Sequence, residues 1–354
     1  MKTFLAFFFL SLASAFALDS LIICDDATDP VTLDPQKQFS EKNHTIVQQI
    51  YDGLVRFDAD GNVEAALAVS WKHIDDLRME FKLRQGVRFH DGEPFNAQSV
   101  RFSIERYLDP KTGFPALGYI GSIEKVEIVD EYTINIVTKF PDGLLINRLA
   151  GFILIVPPRY IAAHGADALH KHPVGTGAFR FERWVKGDRI VLSANPGYWL
   201  AGHPKVDGLV FRFIPTGQQV DHLLKGDVDI VTELPGTRTT EVMASRDNAV
   251  IKRESLYAMM GSLNASQGPL KDKRVRQAVN HAIDREKIIL YDVFGNGRNI
   301  ASPTMSGEEG YDPDLKSYAY DPRKARELLK EAGYAGGVKL AVLVKEQGIR
   351  TGQI

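Results

Sequence analysis

The 354-residue chain is 44% hydrophobic and 25% charged, with a formal net charge of -2. That length and apolar content support more than one packed core, and a near-neutral balance without a basic cluster speaks against a nucleic-acid partner. A single cysteine, Cys24, excludes an intramolecular disulfide.

The first residues read as an export leader: Lys2 supplies the positive end, 4–12 the apolar stretch, and Ala15-Phe16-Ala17 a small-residue cleavage signal. The apolar stretch is too short to span a bilayer, so cleavage after Ala17 and a mature chain from Leu18 are expected. Ser20–Cys24 reads as a buried strand. Cys24 is expected to be an inert core residue, because Ile23 does not suit a lipoprotein signal.

A polar loop over 25–35 leads to a short amphipathic helix over 44–52. Met79, Phe81 and Leu83 alternate with charged residues, as in a half-buried strand. Asn96 caps a helix predicted to run to Leu108, with Val100, Ile104 and Tyr107 on one face. Residues 124–129 and 132–138 flank Asp130-Glu131 as a hairpin, and 158–164 form a short helix after Pro157. Strands are predicted over 178–185, 189–194 and 209–214, then a helix over 218–224. Further helices are expected over 272–283, 284–294 and 322–332, with a last strand over 338–344. Val275, Ala278, Val279 and Ala282 make a core-facing stripe, which leaves Lys273, Arg274 and Arg276 as a solvated face rather than a binding patch. Strands and helices without strict alternation fit a multi-lobed α/β architecture.

No catalytic or metal constellation stands out. There is no G-x-S-x-G, H-E-x-x-H, C-x-x-C or phosphate-cradling loop. His170 and His172 could share one side of a strand, but two imidazoles without a third ligand do not specify a metal site. His90-Asp91-Gly92 reads as a turn in which Asp91 accepts local backbone hydrogen bonds. An exported hydrolase is therefore disfavoured, and no cofactor is expected.

The most telling stretch is Pro173 to Trp199, P-V-G-T-G-A-F-R-F-E-R-W-V-K-G-D-R-I-V-L-S-A-N-P-G-Y-W. Gly175 and Gly177 suit a turn requiring positive φ. Four other blocks follow a common order: Leu83 to Phe95, Lys225 to Ile230, Lys273 to Arg285, and Tyr320 to Tyr334. Together the five resemble the family 5 solute-binding proteins, the peptide, oligopeptide and nickel-chelate receptors of bacterial ABC importers. Ala178 stands where that family usually has proline, which is compatible with a strand start.

The resemblance implies an α/β fold of the periplasmic binding protein type II kind, with two lobes and a hinge. The first lobe would be discontinuous, comprising 18–50 plus 171–264, with an inserted subdomain over 51–170. Residues 265–354 would begin the second lobe, which in the family continues further, so the chain is expected to be C-terminally truncated. The implied function is capture of peptides or peptide-like solutes in the periplasm for delivery to the permease subunits at the inner membrane, by a monomer. Alternatives are a nickel-chelate, glutathione or haem receptor, or a chemoreceptor-linked sensing protein. Tyr198 and Trp199 are expected to be structural. By position, Thr28, Asp29 and Val31 after the first strand, Tyr119 in the inserted region, and Tyr257, Met259, Met260 and Asn264 near the crossing are the candidate ligand-binding residues.

Overall fold

The computed structural model describes residues 20–24, 29–232, 234–253, 258–308 and 310–342. The expected leader, Thr28, Tyr257 and the end of the expected last strand lie outside the described residues. In chain order the strands and helices are β1 (Ser20–Cys24), α1 (Glu41–Ile50), β2 (Val55–Phe57), β3 (Val63–Ala65), β4 (Ala68–Asp75), β5 (Arg78–Leu83), α2 (Ala97–Leu108), α3 (Leu117–Ile120), β6 (Ile123–Asp130) and β7 (Thr133–Thr138). There follow α4 (Leu145–Phe152), α5 (Pro158–His164), β8 (Phe179–Val185), β9 (Arg189–Ala194), β10 (Gly208–Arg212), α6 (Thr216–Lys225), β11 (Ile230–Val231), α7 (Thr239–Ala244), α8 (Lys273–Ala282), α9 (Arg285–Tyr291) and α10 (Pro322–Glu331).

The chain divides into two compact units, 1–233 and 234–354. The first holds a five-stranded sheet in the order β11-β1-β10-β9-β8 and a four-stranded antiparallel sheet in the order β4-β5-β7-β6. β1 runs parallel to β10 and β11, whereas β9 is antiparallel to both its neighbours. The five-stranded sheet thus gathers strands from both ends of the unit, and the four-stranded sheet is built wholly from the stretch between them.

Side-chain pattern explains both cores. In β5, Met79, Phe81 and Leu83 are buried while Arg78 and Lys82 face solvent, as their alternation requires. α2 packs on that sheet through Val100, Ile104 and Tyr107, one helical stripe. Its start is fixed by Asn96, whose Oδ1 accepts from Gln98 N at 3.0 Å, while Ser99 Oγ accepts from Asn96 N at 3.4 Å. The other core joins Ile46, Val47 and Ile50 of α1 to Phe179, Ile190, Leu192, Leu209 and Phe211. Cys24 is fully buried at the end of β1, and burial pushes its thiol pKa up.

In the second unit α8 packs against α10 around Ala278, Ala325 and Leu328. Asp272, Asp284 and Asp321 cap the three long helices there, accepting from Arg274, Lys287 and Lys324 amides. Val275 and Ala278 are buried as expected, but Ala282 is exposed at the end of its helix. Arg274 reaches Glu331 O and Arg276 reaches Leu270 O and Lys271 O, so both serve caps of their own unit. The strand expected over 338–344 does not form at 338–342, where no partner ladder satisfies the extended backbone. Among the described residues no helix is long and apolar enough to cross a membrane.

Candidate ligand-binding site

The turn at 173–177 organises the first unit. Neither Gly175 nor Gly177 has positive φ, which corrects the torsional reading of these glycines. Both are required by close approach instead. A Cβ on Gly175 would lie 2.0 Å from Ile50 O, and one on Gly177 would lie 2.5 Å from Gln49 O. The turn is pressed against the C-terminal end of α1, where Gly177 N donates to Ile50 O at 2.9 Å.

His90 clasps the same turn. Its amide donates to Gly175 O at 2.8 Å, its Nδ1 accepts from Gly175 N at 3.4 Å, and its Nε2 meets Gly177 O at 3.0 Å. An accepting Nδ1 and a carbonyl opposite Nε2 call for the neutral Nε2–H tautomer. Burial, helped by Arg180, lowers the imidazole pKa to about 4, against the raising effect of Gly177 O and Asp91. Asp91 Oδ1 accepts from Glu93 N at 3.0 Å, as the turn reading expects. These two residues hold a turn.

Behind the turn lies a buried carboxylate. Asp52 Oδ2 accepts from Thr176 Oγ1 at 2.8 Å and Trp199 Nε1 at 2.9 Å, and Oδ1 accepts from Tyr198 OH at 3.1 Å. Burial raises the Asp52 pKa, and these three donors oppose it. Arg84 lies over the Trp199 ring at 4.3 Å. Tyr198 and Trp199 are half-buried, and their polar atoms are committed to Asp52.

From Asp29 onward the loop after β1 is pinned by hydrogen bonds. Asp29 Oδ1 accepts from Trp184 Nε1 at 2.7 Å and Oδ2 from Gly187 N at 2.7 Å, with Lys186 Nζ 3.4 Å away. Its carboxylate is thus occupied by the β8–β9 hairpin. Gln38 Oε1 accepts from the amides of Val31 and Thr32 at 3.1 and 3.2 Å. Leu33 N donates to His170 O, and Tyr51 OH to Leu33 O. Within this fixed loop the Val31 side chain stands 78% exposed.

Tyr119, on α3, is 60% exposed and stacks on Phe152 at 4.8 Å and 11°. Phe152 lies 5.0 Å from Phe39, which meets Phe114 edge-on at 6.3 Å. A run of aromatic rings therefore links the segment after β1 to the region carrying Tyr119. Phe39 and Phe152 were missed by the sequence reading, since a loop phenylalanine and the last residue of an apolar helix carry no distinguishing spacing.

Met259, Met260 and Asn264 belong to the second unit. The two methionines are 52% and 62% exposed, and Asn264 Oδ1 accepts from Ser266 N and Oγ in a local turn. His170 packs edge-on to Trp184 and His172 edge-on to Phe181. Among the described residues no group of three or more metal-ligating side chains converges.

The first unit thus carries a clasped glycine turn on a five-stranded sheet, with the four-stranded sheet inserted between that sheet's first strand and the rest. The family described as bacterial extracellular solute-binding proteins, family 5 middle, matches residues 62–349. The chain belongs to that family. Among the family 5 proteins it is 32% identical to the glutathione-binding protein GsiB of Pectobacterium atrosepticum, over 86% of this chain and 60% of that protein. It is 30% identical to GsiB of Salmonella typhi over 93% of this chain and 65% of that protein. The chain thus spans less than two thirds of the length of these relatives. In structure it resembles the periplasmic binding protein DppA of Helicobacter pylori in complex with the peptide STSA. The TM-score is 0.77 at 29% identity, covering 90% of this chain and 67% of that one. NikZ of Campylobacter jejuni in complex with Ni(L-His) gives a TM-score of 0.78 at 27% identity, covering 89% and 63%. The fold is that of the type II periplasmic binding proteins, as the family resemblance implies.

Proposed function

We propose that this family 5 protein is the solute-binding component of an ABC importer, exported to the periplasm by a leader cleaved after Ala17. It captures a small peptide or peptide-like solute as a monomer, hands it to the inner-membrane permease subunits, and performs no chemistry on it. The family match over 62–349 carries this reading. The sheet order of the first unit, with strands from both of its ends in one sheet and the four-stranded sheet between them, supports a discontinuous first lobe around an inserted subdomain at 51–170; the proposed bounds are 18–50 plus 171–264 for that lobe and 265–354 for the start of the second, although the compact first unit ends at 233. In this reading Val31 and Tyr119 present apolar and aromatic surface to the solute and Asp29 holds the loop that carries Val31, while Met259, Met260 and Asn264 are the candidate contact residues of the second unit. An extended peptide would be held mainly through its main chain, giving affinity without strong side-chain selectivity.

Glutathione is the first probe, because GsiB relatives are 30% to 32% identical. A dipeptide such as Met-Leu and the nickel–histidine complex follow, each named in the complex of a structural neighbour. Isothermal titration of the chain with all three is expected to give saturable 1:1 binding for a peptide-type probe. Heat from the nickel complex alone would favour the chelate-receptor alternative, and none from any probe would count against the proposal.

A further inference from the structure

α2 contributes an arginine to the loop after β1 from a distant part of the sequence. Arg106 Nη1 donates to Asp34 Oδ1 at 3.0 Å and Nη2 to Asp34 Oδ2 at 2.6 Å, a two-pronged pair. The same guanidinium donates to Gln36 Oε1 at 2.6 Å and to Ala166 O at 3.2 Å. Asp34 and Gln36 are fully buried, and only 10% of the Arg106 side chain is exposed. Gln36 Nε2 in turn donates to Ser103 O at 3.0 Å, one turn earlier on α2. Asp34 Oδ1 also accepts from Gln36 N at 3.0 Å, so the carboxylate shapes its own loop as well as meeting the arginine.

A buried ion pair is a poor source of stability, since well-packed apolar residues of similar size often serve as well. It does fix geometry, because a forked guanidinium accepts a carboxylate in one plane only. This pair grips the loop three residues beyond Val31. The other grip is Asp29 on the β8–β9 hairpin, two residues before Val31. Val31 is therefore the exposed residue of a segment clamped on both sides.

We infer that Arg106, acting through Asp34 and Gln36, is a positioning residue that preorganises the 29–38 loop for solute capture. The inference deepens the proposed function and rests on its claim that this loop faces the solute. Preorganisation raises affinity by removing the ordering cost at the moment of binding.

The test is the double substitution Asp34→Leu with Arg106→Met in the full chain, which keeps volume and removes both charges. Melting temperature, affinity for glutathione, Met-Leu and nickel–histidine, and hydrogen exchange at the Val31 and Thr32 amides are measured together. Those amides are bonded to Gln38, so the substitutions do not remove their acceptor. The expected result is a folded variant with a lowered melting temperature, because the buried Gln36 loses the partners of its amide and of Oε1, with exchange at both amides faster by about tenfold and affinity weaker by about tenfold or more at a temperature well below the transition. Parental exchange or parental affinity in the folded double variant would overturn the inference. If that variant does not fold, Arg106→Lys replaces it, keeping the charge and losing the fork. Loosened amides with weakened binding there support the inference, and parental values overturn it. Should the parent itself bind none of the probes, the proposed function fails, while unchanged exchange at the two amides still decides against the clamp and faster exchange for it.

Discussion

Replacing Gly175 with alanine is the sharpest test of how the central turn is built. The added Cβ would stand 2.0 Å from Ile50 O and 2.8 Å from both Ile50 C and Tyr51 Cδ1. Carbon–oxygen contacts rarely close below about 3.3 Å, so turn and helix end must part by about 1.3 Å. The obstacle is main chain at the end of α1, which cannot swing aside as a flexible side chain would. Parting strains the Gly177 N to Ile50 O bond and the His90 N to Gly175 O bond, now 2.9 and 2.8 Å. Overpacking costs about 1–3 kcal/mol and a buried backbone group left unpaired about 1–3 kcal/mol, for a total of about 2–6 kcal/mol. Urea unfolding followed by tryptophan fluorescence reports the right unit, because Trp71, Trp184 and Trp199 all lie within 1–233. The midpoint of Gly175→Ala is expected to fall by about 1 M or more. Gly118→Ala is the control: its Cβ meets nothing within 4 Å, and its midpoint should stay at the parental value. A parental midpoint for Gly175→Ala would refute the close-approach argument.

Three further outcomes follow from the same geometry. His90 has a pKa of about 4 in the folded chain against 6.5 as the ordinary value. Its contribution is complete above about pH 6.5 and is lost as pH falls towards 4, by up to about 3 kcal/mol; His90→Gln should flatten that part of the stability–pH curve, and an unchanged slope would contradict the clasp. Asp52→Ala strands the Thr176, Tyr198 and Trp199 donors and should cost about 3–5 kcal/mol, with Asp52→Asn milder because one acceptor remains; equal losses in the urea midpoint would argue against the three-donor network. Val31→Lys should leave stability within about 0.5 kcal/mol, since the side chain is 78% exposed, yet weaken binding of the best probe in titration. Undiminished affinity would remove Val31 from the site.

Much of the architecture was legible because its signals are local. Ser20–Cys24, the helix from Asn96 to Leu108 and the helix opening at Pro158 are found where an apolar run, a capping residue and a proline put them, although of β1 only Cys24 is fully buried. α1 begins at Glu41, earlier than the apolar pattern from His44 suggested, because its first turn carries polar residues. The role of Gly175 was not legible: a glycine needed for torsion and one needed for contact look alike until the helix end beside it is known. The same holds for the pairing of Asp34 with Arg106, separated by 72 residues. An arginine within a helix reads as a solvated face, and only the fold brings a buried carboxylate to it. Asp29 was singled out by position, and its occupation by Trp184 and Gly187 depends on a hairpin more than 150 residues away. Tyr198 and Trp199 could be assigned a structural role from family resemblance, but their shared acceptor, Asp52, carries no motif of its own.

Whether the protein carries a peptide-type solute is decided by native mass spectrometry of the protein purified from its own source. A 1:1 adduct with the mass of a small peptide or peptide-like compound is expected, released on denaturation and exchangeable with added glutathione or dipeptide. A protein without any adduct, which also gains none from glutathione, dipeptides or nickel–histidine, would contradict the proposed function.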